Sequence, residues 1–359
     1  MHDVMYDFYP PIFESLGPRD RDVAFQRLQP ISVGAGTRII EEGDTDPSLV
    51  IVMRGELDIV TGDTKLGKAG AGDIVGEMAL FMDGMRNASV VTRADCQLLL
   101  LDRPNYEWLR HVEHPLAFSV ELHALNQLSD RLRVTGDRIA ALAEGTDIAH
   151  VAPPAGFFNR VASAFGSGGL MYPGNLDGKA ILGSMDLFAG VEPKALEEVA
   201  SHFVPMGARR GHFLCTEGTS GNDMFVLASG VVDVLVATQG DNVEHVAELA
   251  AGSAVGMCSL VQDQHPRMAS VVVKEKVTGL TMDRITWAAQ SNRFDKVGSA
   301  LRVAMIRALG RQLAFANAEL ALHDMQAKSR TALMRAGAGM EAYSAGLDED
   351  VPSYLQGMD

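Results

Sequence analysis

This chain is written twice, and that repetition limits its fold more than any other feature. Ile12-Phe13-Glu14-Ser15-Leu16-Gly17-Pro18 returns as Leu187-Phe188-Ala189-Gly190-Val191-Glu192-Pro193, an offset of 175 (187 − 12). Gly36-Thr37-Arg38-Ile39-Ile40-Glu41-Glu42-Gly43 matches Gly211-His212-Phe213-Leu214-Cys215-Thr216-Glu217-Gly218 at the same offset, as Met53-Arg54-Gly55-Glu56-Leu57-Asp58 matches Ala228-Ser229-Gly230-Val231-Val232-Asp233. Each copy begins with a helix and continues as short β-rich runs, such as Leu49-Val50-Ile51-Val52-Met53 and Met224-Phe225-Val226-Leu227. Glycines at 43, 55, 218 and 230 punctuate these runs where turns commonly need a positive φ. A mainly β fold with flanking helices follows, a small antiparallel barrel or jelly roll in each copy. The loop Thr61–Ala71 lengthens to Ala237–Ala251 in the second copy, which raises the offset to 180 (256 − 76). Gly62-Asp63-Thr64-Lys65-Leu66-Gly67-Lys68 imitates a P-loop, but Ala69 stands at the Ser/Thr position and no long helix follows, so it reads as a hairpin tip.

The chemistry concentrates in Gly72-Asp73-Ile74-Val75-Gly76-Glu77-Met78-Ala79-Leu80-Phe81 and the following Arg86-Asn87-Ala88-Ser89-Val90-Val91. An apolar strand end meets Gly76, and the next residues form about one helical turn, whose first N–H groups lack intrahelical partners and favour an anion. Glu77 at that end would repel a phosphate unless it addresses another part of the ligand, and a sugar hydroxyl can donate to it. Arg86 returns on the next strand with a planar fork of donors suited to a phosphate oxygen. An anion joined to a hydroxyl-bearing sugar is a nucleotide.

Gly-Glu-x-Ala-Leu followed by Arg-x-Ala-Ser resembles the cassette of the cyclic nucleotide-binding domain family, which includes catabolite activators, kinase regulatory subunits and channel ligand domains. The resemblance implies two double-stranded β-helix domains in tandem, each followed by a long helix. It further implies that Glu77 holds the ribose 2′-hydroxyl and that the backbone at Gly76, Met78 and Ala79 approaches the cyclic phosphate. Arg86 would pair with an exocyclic phosphate oxygen and Asn87 would add a phosphate contact. In the catabolite activators the helix after the barrel pairs with its counterpart and closes over the base. Here Leu116, Val120, Leu122, Leu125, Leu128, Leu132, Ile139 and Leu142 recur mostly at spacings of three or four, giving an amphipathic helix to about Ala143 with a kink expected near Gly136. Arg131-Leu132-Arg133-Val134-Thr135-Gly136-Asp137-Arg138 is similar to the family's base-covering stretch, which carries Thr135 to the base edge.

The second copy departs from the pattern. Its cassette reads Gly256-Met257-Cys258-Ser259-Leu260, then Arg267-Met268-Ala269-Ser270, with Met257 where the first copy has Glu77. Gly256, Ser259, Arg267 and Met268 could still seat a phosphate, but a thioether is a weak acceptor for a ribose hydroxyl. Losing a hydrogen bond to a charged acceptor costs roughly 1.5–3 kcal/mol. This site is expected to be weaker, altered or empty. A second amphipathic helix runs from Val297 to about Arg335, suited to pairing with another helix or to packing within the chain, and the family alignment places Asn317 near the base of the second copy.

The expected segments are an extension 1–11, a first domain 12–144, a Gly/Pro/Ser-rich linker 145–186, a second domain 187–336 and an acidic tail 337–359. Phe157, Phe158, Val161 and Phe165 could form a short helix inside the linker. A net charge of −15 works against nucleic-acid partners, and neither copy is followed by a helix-turn-helix pattern. No apolar run approaches the roughly 20 residues of a membrane span. The acidic start lacks the features of a secretory signal, so a cytoplasmic location is expected. Cys96, Cys215 and Cys258 suggest neither a disulfide framework nor a metal site. No nucleophile triad or metal motif is visible, which points away from an enzyme. The chain is expected to be a sensor for cyclic AMP, with cyclic GMP second, needing no cofactor and signalling through its helices to a protein effector or between subunits of a homo-oligomer. An assembly scaffold built from degenerate domains is the runner-up, and a transcriptional regulator a distant third.

Overall fold

A computed structural model describes residues 9–82, 85–143, 170–174, 176–237, 243–261 and 266–347. In the first copy a 3₁₀ turn, Pro11–Phe13, and helix α1, Pro18–Arg27, precede strands β1 (Gln29–Val33), β2 (Arg38–Ile40), β3 (Ser48–Arg54), β4 (Leu57–Thr61), β5 (Thr64–Ala69) and β6 (Ile74–Val75). Helix α2 (Glu77–Phe81) follows, then β7 (Ser89–Thr92), β8 (Cys96–Asp102), α3 (Arg103–His111) and the long α4 (Pro115–Ala143). The strands form two antiparallel sheets, ordered β1-β8-β3-β6 and β2-β7-β4-β5. The P-loop-like stretch is the β4–β5 hairpin, in which Thr61 faces Thr64.

The second copy repeats this plan as α5 (Gly178–Gly183), a 3₁₀ turn (Asp186–Phe188), α6 (Pro193–Ser201), β9 (Val204–Ala208), β10 (Phe213–Cys215), β11 (Asp223–Ala237), β12 (Val243–Ala250) and β13 (Ala254–Val255). Then come α7 (Cys258–Val261), β14 (Ser270–Asp283), α8 (Arg284–Ser291) and α9 (Lys296–Leu347). Here β11 continues through the position that separates β3 from β4, and β14 through the one that separates β7 from β8. The two long strands pair antiparallel with register shifts around Ser229 and Val231, so one bulged sheet replaces two. The helix after each barrel starts alike, since Asp102 accepts from the Asn105 N–H (2.9 Å) and Asp283 from the Thr286 N–H (2.7 Å).

Strand β3 shows why the apolar runs do not alternate with polar residues. Leu49, Ile51 and Met53 face the helices, whereas Val50 and Val52 face the barrel interior. In β11, Met224 and Val226 take the helix side, and Phe225 and Leu227 the barrel side. Both faces are buried, so period two is present without polarity to reveal it. The helix-side core is continuous across the two copies, joining Leu125 and Leu128 of α4 to Ile306 and Leu309 of α9.

The two long helices, expected to pair with a partner helix or within the chain, pack against each other. Helix α4 is unbroken through Gly136, near which a kink was expected. Helix α9 continues past Arg335 to Leu347, into the stretch expected to be an acidic tail; its alanines, Met340 and Leu347 favour helix, and the three glycines, Gly337, Gly339 and Gly346, cost roughly 1 kcal/mol each. Part of the expected linker is ordered structure as well: Met171 bridges Gly207, and α5 lies within it. The stretch Phe157–Phe165 and the C-terminal residues 348–359 lie outside the described residues. Among the described residues no helix is long and apolar enough to cross a membrane.

Candidate functional site

Gly76 ends β6 with φ +81°, and a Cβ there would collide with Arg86 Nη1 and lie 3.0 Å from the Ser48 carbonyl oxygen. Only glycine lets the backbone and guanidinium meet. Arg86 is 5 % exposed. Its Nη1 donates to the Gly76 carbonyl oxygen (3.0 Å), and its Nη2 to Ser48 Oγ (3.1 Å) and Asp46 Oδ2 (3.4 Å). Burial lowers the pKa of this guanidinium, opposed by Asp46, Glu77 and Asp44. Glu77 is 2 % exposed, and its Oε1 accepts from Arg131 Nη1 at 2.7 Å. Arg131 Nη2 also donates to the Ile74 carbonyl oxygen at 2.9 Å, so one α4 side chain ties the cassette to the long helix.

Gly76, Glu77, Arg86 and Arg131 lie at the wall of a cavity of about 270 Å³. Gly76, Glu77, Met78, Ala79, Arg86, Asn87 and Thr135 all line it. Asn87 Nδ2 lies 3.9 Å from Met78 Sδ. Thr135 is buried, and its Oγ1 donates across the helix pair to Asn317 Oδ1 at 3.4 Å. Asn317 therefore sits in the first cavity and not, as the alignment placed it, near the second. On α9 it is Ala316 that faces its own barrel; the next residue is turned by about 100° and points across the pair.

The second cavity, about 440 Å³, is assembled in the same way from its own barrel and both helices. Gly256, Ser259, Arg267 and Met268 line it. Arg267 Nη1 donates to the Gly256 carbonyl oxygen and Nη2 to that of Asp223, each at 2.5 Å, repeating the Arg86 arrangement. Gln312 Nε2 donates to the Ala254 carbonyl oxygen at 2.8 Å, as Arg131 does to Ile74. The helices thus correspond at an offset of 181 (312 − 131), which also pairs Thr135 with Ala316 and Gly136 with Asn317. The polar positions of the first cavity, Glu77, Arg131, Thr135 and Asn317, are Met257, Gln312, Ala316 and Gly136 in the second.

The exchange of helices extends to the cassettes. Helix α9 packs on α2 and α4 on α7. Gly310 leaves room for the thioether of Met82, whose sulfur would lie 2.8 Å from a Cβ, and Arg307 Nε donates to the Phe81 carbonyl oxygen at 2.9 Å. Ser129, at the position equivalent to Gly310, hydrogen-bonds the Cys258 thiol, whose pKa burial pushes up to about 11. At the centre of the pair, the equivalent residues Glu121 and Arg302 form a buried ion pair at 2.8 Å.

Sequence reasoning missed Arg131, Ser48, Asp46 and Gln312. Arg131 carried a signal, since it lies one helical turn before Thr135 and shares its face. The Ser48 and Asp46 contacts carried none, because nothing local aims that loop at Arg86.

The sequence profile described as cyclic nucleotide-binding domain matches residues 30–111 and 207–291, which together span both barrels and both cassettes. The chain carries two cyclic nucleotide-binding domains. Over 252 residues, 70% of this chain and 26% of the relative, it is 25% identical to the cGMP-dependent protein kinase egl-4 of Caenorhabditis briggsae. Over 92 residues, 26% of this chain and 20% of the relative, it is 32% identical to the cAMP-dependent protein kinase regulatory subunit of Eremothecium gossypii. The chain thus spans about a quarter or less of the length of these relatives. The structure of the regulatory domain of Toxoplasma gondii PKA with cAMP is similar over 77% of this chain and 86% of that one, at 19% identity and a TM-score of 0.29.

Proposed function

We propose that the first cyclic nucleotide-binding domain is a sensor for cyclic AMP, with cyclic GMP the weaker ligand, and that it acts on a protein effector through the α4–α9 pair. The observation that carries this is the placement of three kinds of partner around one small cavity. Arg86 supplies a buried cation for a phosphate oxygen, Glu77 a buried carboxylate for the ribose hydroxyl, and Thr135 with Asn317 a polar edge for the base. The Arg131 bond occupies only one Glu77 oxygen in part, leaving acceptor capacity for the sugar. An exocyclic amine on adenine suits the Asn317 and Thr135 oxygens, which supports the adenine preference.

Signalling follows from attachment. Ligand at Glu77 and Arg86 bears on α4 through Arg131, and a base at the cavity roof bears on α9 through Asn317. A ligand that binds one helix arrangement better shifts the population toward it. Calorimetric titration of the full chain with cyclic AMP and cyclic GMP tests the proposal. We expect about one equivalent per chain, tighter for cyclic AMP, abolished by Arg86→Ala and weakened about ten- to a hundredfold by Glu77→Gln. No binding of either nucleotide would sink the sensor and leave the domains as an assembly scaffold.

A further inference from the structure

The second cavity has exchanged Glu77, Thr135 and Asn317 of the first for Met257, Ala316 and Gly136, and the charge of Arg131 for the neutral amide of Gln312, yet it has not collapsed. At about 440 Å³ it is the larger of the two, within the size range of small-molecule sites. Its body is apolar: Val234, Val236 and Leu249 from the barrel, Met257 from the cassette, Leu132 and Ile139 from α4. A nucleoside there would leave its sugar hydroxyls facing Met257 and its base edge facing Ala316 and Gly136, which offer no matching side-chain partner, and a site without such partners loses the ligand that needs them. One charged feature of the first cavity survives. Arg267, 7 % exposed, keeps its guanidinium at the wall, fixed by the Gly256 and Asp223 carbonyls through one hydrogen of each terminal nitrogen. Ser259 lies beside it on the cavity wall. Phe315, 48 % exposed, stands on α9 at the edge of the cavity and gives an apolar ligand a surface on which to enter.

We propose that the second cavity binds a small free molecule with an apolar body and one anionic group, the body between the barrel valines and α4 and the anion on Arg267. The ligand class is that of a medium-chain or aromatic carboxylate. A carboxylate on Arg267 gains a charge-assisted hydrogen bond in a water-poor site, and the body removes its own surface and that of the lining from water. Because Leu132, Gly136 and Ile139 belong to α4, such a ligand would touch the same helix pair as a nucleotide in the first cavity.

Calorimetry on the full chain with decanoate and, separately, the neutral 1-decanol tests this. Wild type is expected to bind about one decanoate per chain. Arg267→Gln should weaken decanoate about tenfold or more and leave decanol unchanged. Ala316→Phe, which fills the cavity from α9 without disturbing Arg267, should abolish both. Arg86→Ala should leave decanoate binding intact, which separates this site from the nucleotide site whatever becomes of the latter. The proposal is overturned by absence of decanoate binding to wild type, by equal binding to wild type and Ala316→Phe, or by cyclic AMP displacing decanoate from Arg86→Ala.

Discussion

Replacing Glu121 by leucine strands a charge at the centre of the molecule. Glu121 and Arg302 are each 1 % exposed in their side chains. The Glu121 carboxylate accepts from Tyr106 Oη (2.8 Å), Ser299 Oγ (2.7 Å) and Arg302 Nε (2.8 Å), and Arg302 Nη1 donates to the Ser291 (2.5 Å) and Arg293 (2.7 Å) carbonyls. The Arg302 guanidinium also lies 4.5 Å over the Phe118 ring. Without Glu121, a guanidinium, a phenol and a hydroxyl lose their acceptor together. Breaking one side of a buried pair costs about 3–5 kcal/mol, whereas replacing both sides with apolar groups is far milder. Glu121→Leu is therefore expected to destabilise by about 4 kcal/mol, and Glu121→Leu with Arg302→Met by about 2 kcal/mol, the remainder reflecting the Ser291 and Arg293 carbonyls left without a donor. Urea denaturation measures this with built-in reporters, since Trp108 lies in the first copy and Trp287 in the second. In wild type the two should report one transition; in Glu121→Leu they should separate, because the pair joins the long helices of the two domains. A loss under about 1 kcal/mol in the single variant, or a double variant that is simply additive, would refute the reasoning.

Gly76→Ala places a methyl against Arg86 Nη1 at φ +81°, so cyclic nucleotide affinity should fall at least tenfold by calorimetry while circular dichroism shows a folded chain. Met257→Glu buries a carboxylate opposite Gln312 and should destabilise by about 3 kcal/mol; adding Gln312→Arg should recover at least half of that, as read by thermal denaturation. Burial, with Glu121 nearby, holds the Tyr106 phenol well above its ordinary pKa. A folded-state pKa above the unfolded value means that this stabilisation is complete below about pH 10 and is lost as pH rises beyond it. Tyr106→Phe should therefore flatten the fall in stability above about pH 10, in urea titrations across that range.

The division between what was legible in the sequence and what was not follows the range of the forces involved. The repeat, the barrel strands, the two cassettes and the amphipathic helices rest on local patterns: apolar runs cut by glycines, a Gly-Glu turn, spacings of three and four. Gly76, Glu77 and Arg86 were readable for that reason, as was the loss of Glu77's counterpart to Met257, whereas Met78, Ala79, Asn87 and Thr135 came only through the family resemblance that those patterns carry. Helix pairing was readable only as a face in want of a partner. Which partner, and in which register, depends on residues far apart in sequence, and the shared core with its Glu121–Arg302 pair decides it. That register turns Asn317 away from its own domain into the first cavity, brings Gly136 into the second and sets Arg131 on Glu77. The sequence by itself determined two cyclic nucleotide-binding domains, one with Glu77 in its cassette and one stripped of that carboxylate. Only the tertiary structure decided that each cavity is roofed by both helices and that the stripped one stays open, because a cavity is a property of surfaces that meet and not of the segments that supply them.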